Sequence, residues 1–178
     1  LLAGGADANA RDDRGTSALP AAAQFAFASR DTVRARQTLE LLIGKGARLD
    51  AYGENGWSPL SVAITYGELA DVKQLVDAGA DVNAANAAGY TPAMFATAKS
   101  ADGVLELLLQ HGADARAANK AGITPLMLAA AENNLAATRR LLAAGADPAA
   151  QDSRGRNALA IARDAGHAEL AGLLAKPH

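Results

Sequence analysis

Apolar residues recur along this chain at helical spacing in short windows, and each window is closed by glycine. Leu69, Val72, Leu75 and Val76 form one set, and Leu135, Thr138, Leu141 and Leu142 another. Steps of three and four residues place each set on one face of an α-helix. A shorter alanine-rich window precedes each, as in Leu126-Met127-Leu128-Ala129-Ala130. Between the two windows, Gly67, Ser100, Asn133 or Gly166 marks a turn. The pattern predicts pairs of short helices joined by tight turns.

The pairs repeat. Gly-Ala-(Asp/Arg) occurs at Gly5, Gly46, Gly79, Gly112 and Gly145, at spacings of 41, 33, 33 and 33. A second series, Gly15, Gly56, Gly89, Gly122 and Gly155, keeps the same spacings. Five units fill the chain, and the first carries eight extra residues. Ser58-Pro59, Thr91-Pro92 and Thr124-Pro125 each set a hydroxyl cap before a proline at the first helical position, where the missing N–H costs nothing. Ser17-Ala18 and Asn157-Ala158 keep the cap without the proline. The Gly5 series is expected to end each second helix in the left-handed conformation. The stretch from there to the Gly15 series is polar, with Asp or Asn at positions 12, 86, 119 and 152, and suits a projecting turn.

The unit Asn86-Ala87-Ala88-Gly89-Tyr90-Thr91-Pro92, a helix pair, then Gly112-Ala113-Asp114 resembles an ankyrin repeat. The resemblance covers essentially the whole chain. It implies an all-α repeat solenoid of about five stacked units, each a helix-turn-helix with a projecting β-hairpin loop, every unit burying its faces against its neighbours. The expected organisation is a single domain over 1–178. Within it, 1–11 is the remnant of a preceding repeat and 12–52 the repeat with the insertion; 53–85, 86–118 and 119–151 follow, and 152–178 is a C-terminal cap. Leu1 to Asp7 reads as the end of a helix, so the chain is expected to come from inside a longer polypeptide. Pro177 in place of the capping glycine reads as a natural end.

Departures from the family pattern are local. The usual Thr-Pro-Leu-His has no histidine here; that row reads Pro20, Ser61, Met94, Met127 and Ala160, and the methionines can fill packing space. Arg48 and Gly53 stand in the second hairpin where its sisters carry Asp and Asp or Asn. The insertion, Phe25 to Val33, reads as a lengthening of both helices, with the turn near Ser29 to Asp31 and Asp31 or Thr32 as the cap. Phe25, Phe27 and Val33 are expected to pack together. A partner-specific projection with Arg30, Arg34 and Arg36 on its outer side is the alternative.

Composition narrows the function. Half of the 178 residues are hydrophobic but only 4% are aromatic, so alanine and leucine carry the helix packing. Seventeen basic side chains against nineteen acidic ones disfavour phosphate gripping, and no nucleic-acid partner is expected. The sequence has no cysteine, hence no disulfide or thiolate site, and this does not fix the compartment. No uninterrupted apolar stretch is long enough to span a bilayer, so no membrane partner is expected. His111, His167 and His178 form no catalytic or metal constellation, and no phosphate-binding glycine motif follows a strand. The expectation is no catalytic residue, no metal, no cofactor and a monomeric, non-enzymatic protein.

The resemblance implies a concave partner surface of hairpin tips and inner faces of the first helices. Trp57, Tyr90 and Ile123 fall in the row just before the cap, Tyr52 in a hairpin row, and Tyr66 in the row that ends the first helix. Tyrosine and tryptophan bury large area and carry a polar handle, which suits binding anchors. Arg11, Arg14, Glu54, Asn55, Lys99, Glu132 and Arg156 form the expected polar flank. The favoured reading is a module that binds another protein through this groove. The alternative is a structural or regulatory arm whose groove packs against a missing N-terminal part of its own polypeptide.

Overall fold

A computed structural model of the chain describes residues 7–10, 13, 32–50 and 56–176. The chain forms two compact units, Leu1–Ala87 and Ala88–His178. The first contains α1 (Thr32–Gly44), α2 (Pro59–Tyr66) and α3 (Leu69–Asp77). The second contains α4 (Pro92–Ala98), α5 (Asp102–Gln110), α6 (Pro125–Ala131), α7 (Leu135–Ala143), α8 (Ala158–Asp164) and α9 (Ala168–Leu174). All regular structure among the described residues is helical.

Each first helix starts where its cap dictates. The Ser58 Oγ accepts the Ser61 N–H at 3.2 Å, and the Thr91 and Thr124 Oγ1 atoms accept those of Met94 and Met127 at 3.3 Å. Asn157, which lacks the following proline, does the same to Ala160 at 2.9 Å. The helices then pack as a repeat requires. In the second unit α4, α6 and α8 each pack on their own partner, α5, α7 and α9, while α4 also packs on α6 and α6 on α8. Within the second unit, neighbouring helix pairs therefore complete one another's cores. Met94, Leu105, Leu108, Leu126, Met127, Leu141 and Leu170 are fully buried there, and Leu39, Leu60, Val72 and Leu75 in the first unit. The methionines fill the row where the family carries histidine. Leu69, expected inside, is half exposed at the first position of α3.

The turns within the helix pairs are not uniform. Ser100, Asn133 and Gly166 take left-handed backbone, with φ of 52°, 53° and 75°. Gly67 is extended instead, with φ of −93°. Its repeat enters α3 through a different device, the Asp71 Oδ2 accepting the Glu68 N–H at 2.8 Å.

Among the described residues the projecting loops are turns rather than strands. Asn119 donates its N–H to the Ile123 carbonyl at 3.0 Å, and Asp152 donates to Arg156 at 2.9 Å. Neighbouring tips touch through backbone bonds, Lys120 N–H to the Ala88 carbonyl at 3.2 Å and Ser153 N–H to the Ala121 carbonyl at 2.8 Å. The second glycine series is what allows this approach. A Cβ on Gly122 would stand 3.0 Å from the Gln151 carbonyl oxygen, on a backbone with φ of 74°.

Of the insertion, Phe25, Phe27 and Arg30 lie outside the described residues. Ser29 to Asp31, the expected turn, also lie outside them; helix α1 begins at Thr32, and Val33, expected to pack, is 66% exposed. The Arg36 Nε lies 3.2 Å from the Asp71 Oδ1 and its Nη2 lies 3.3 Å from the Glu68 Oε2. Arg36 thus fastens α1 to the start of α3. Asp71 holds the guanidinium above its ordinary pKa by hydrogen bond and charge.

Candidate partner-binding surface

The junction between loop and first helix places the expected anchors. The cap residue and the proline turn inward, since Thr91, Pro92, Thr124 and Pro125 are all buried. The residue before them is left at the surface. Tyr90 and Ile123 are half buried there, and Arg156 holds the same place in the next repeat. In the first unit Trp57 is likewise half buried and Tyr66 is 53% exposed at the end of α2. Tyr52, Arg11, Arg14, Glu54 and Asn55 lie outside the described residues.

The Tyr90 ring rests against Phe95, with centroids 5.9 Å apart. Phe95 belongs to a row the aromatic count alone does not reveal. It is followed at 33-residue intervals by Leu128 and Ile161, and all three are half buried. Two rows at the repeat period therefore carry half-buried apolar side chains in the second unit. The signal was present in the period of the sequence, but leucine and isoleucine in a helix read as core until burial is known.

The polar flank divides by what each side chain is already doing. Lys99 and Glu132 are exposed caps at the C-terminal ends of α4 and α6. Arg156 is engaged: its Nη2 and Nε lie 2.9 and 3.1 Å from the Asp152 Oδ2. Asp152 is buried, and its Oδ1 accepts the N–H groups of Arg154 and Arg156 at 2.8 and 2.9 Å. The bond from Arg156 does most to hold this carboxyl below its usual pKa, and desolvation opposes it. Arg156 is a clasp within its own loop.

The repeats align with a known pattern. The family model described as "Ankyrin repeats (3 copies)" matches residues 1–86, 25–119 and 94–178, which together span the chain. The chain belongs to the ankyrin-repeat family. Ankyrin repeats are in general protein–protein interaction modules and in general non-enzymatic. No curated protein matches this ankyrin-repeat chain. Among the described residues no helix is long and apolar enough to cross a membrane, and no His, Asp and Glu side chains cluster as a metal site would need. His111 Nδ1 lies 2.8 Å from the Leu107 carbonyl, and His167 Nε2 lies 3.2 Å from that of Ala131, so each histidine of the repeats has a backbone partner.

Proposed function

We propose that this ankyrin-repeat protein binds another protein through the surface formed by its loop ends and first helices, the concave groove of the family. The observation that carries the reading is the placement of Tyr90 and Ile123. Both stand one residue before a buried Thr-Pro pair, yet both keep surface open to solvent. Large apolar side chains held by a rigid cap at the edge of a core are pre-organised anchors, because little side-chain freedom remains to be lost on binding. Trp57 and Tyr66 offer the same chemistry in the first unit. Lys99 and Glu132 supply an exposed polar margin.

The test is a titration with a purified partner retrieved by affinity capture. Y90A/I123A should weaken binding by about 2 kcal/mol or more, the scale of an interface hot spot. Its helicity at the titration temperature should match the parent chain, although the lost Tyr90–Phe95 contact lowers the melting temperature. Unchanged affinity in that variant would remove this surface from the interface.

A further inference from the structure

The apolar rows and the loop tips of the second unit together indicate what chemistry a partner brings, an inference that rests on the binding surface just described. Tyr90, Phe95, Ile123, Leu128 and Ile161 form its apolar part. Along the loop margin stand Lys120 and Arg154, both exposed and, among the described residues, in no ion pair. Their tips are held against their neighbours by the Lys120–Ala88 and Ser153–Ala121 backbone bonds. The acid between them, Asp152, is buried and committed to Arg156 and to backbone N–H groups. Asp114 and Asp147 stand at the far ends of the same loops, accepting the N–H groups of Arg116 and Ala149 at 2.8 Å. The opposite margin, one short helix away at about 10 Å, is mixed, with Lys99, Glu132 and Asp164. One margin is therefore basic in a chain whose formal net charge is −2.

We propose that the partner is an acidic, amphipathic peptide segment. Its apolar side chains lie on Tyr90, Ile123 and the Phe95 row, and its carboxylates face Lys120 and Arg154. Opposite charge along one margin sets orientation and association rate, while the apolar row supplies most of the affinity.

Two fluorescein-labelled peptides test this with the full chain, one of alternating Leu and Glu and one with Lys in place of Glu, followed by anisotropy. The acidic peptide should bind more tightly than the basic one, and more weakly as NaCl is raised. K120E/R154E should weaken it by about tenfold, because two attractions become repulsions. Y90A/I123A should weaken it at every salt concentration. Binding of the basic peptide that depends on Tyr90 and Ile123, or acidic binding indifferent to K120E/R154E, overturns the acidic partner and leaves the surface standing. Binding of neither peptide, or binding indifferent to Y90A/I123A, overturns the surface as well.

Discussion

Asn119 and Asp152 occupy the same place in successive repeats and make the same pair of bonds. The Asn119 Oδ1 accepts the N–H groups of Ala121 and Ile123 at 2.9 Å; the Asp152 Oδ1 accepts those of Arg154 and Arg156. One side-chain oxygen closes each loop, and a neutral amide or a carboxylate does it equally well. The carboxylate adds its bonds to the Arg156 guanidinium.

That equivalence fixes the response to acid. Asp152 has a lowered pKa in the folded chain, so it binds its proton more readily when unfolded. Its stabilising contribution is complete above the ordinary aspartate pKa of about 3.9 and is lost as pH falls through the lower folded value. D152N should keep both backbone bonds and lose this acid dependence, whereas D152A should lose the loop closure at every pH. Melting curves at pH 7 and pH 3 check the order. At pH 7, D152A should melt below D152N. If the two melt together there, the Oδ1 bonds do not hold the loop.

Arg36 offers a second test, of charge rather than loop geometry. Asp71 has no exposed side-chain surface and depends on the half-exposed Arg36 for its counter-charge. R36M leaves that carboxylate buried without this counter-charge, which should lower the melting temperature. D71N in the same chain can still accept the Glu68 N–H and should recover most of the loss. A double variant no more stable than R36M would show that the arginine acts through packing.

The glycines separate two costs that usually come together. Gly122 and Gly155 have nearly the same backbone, with φ of 74° and 73°, but a Cβ on Gly155 would meet nothing within 4 Å. G155A should therefore cost only the left-handed penalty of about 1–2 kcal/mol. G122A adds the collision with the Gln151 carbonyl and should cost at least about 1 kcal/mol more, since backbone must move. Chemical denaturation measures both. Equal losses would mean that the loops yield freely.

Much of this was legible in the sequence, and the reason lies in how local each signal is. The cap at Thr91, the proline after it and the left-handed glycine at Gly112 are decided within one turn of chain, so residue type and order suffice. The 33-residue period then carried the helix pairs and their order. What stayed hidden depends on contact between repeats. The role of Gly122 needs the position of Gln151, and Arg36 needs Asp71, 35 residues away. The surface character of Phe95, Leu128 and Ile161 needs the packing of α4, α6 and α8, because their spacing and hydrophobicity are those of a core. Gly67 shows the limit from the other side. Its place marked a turn like those at Ser100, Asn133 and Gly166, but the turn is made with extended backbone and the Glu68–Asp71 cap.

The within-pair turns yield a stabilising change. Ser100 and Asn133 hold left-handed backbone with side chains attached, where Gly166 in the next repeat has none. An L-residue pays about 1–2 kcal/mol there, and Asn pays least because its short amide tolerates that region. Replacing Ser100 with glycine removes the penalty but gives the unfolded chain more freedom, a cost of up to about 1 kcal/mol. The Ser100 side chain is exposed, so little packing is lost. S100G should therefore raise stability by about 0.5–1 kcal/mol. N133G should gain less, because the residue it replaces is already the better tolerated one. Urea denaturation of the two variants decides the matter: a larger gain at Asn133 than at Ser100 would mean that side-chain contacts, and not backbone strain, govern these turns.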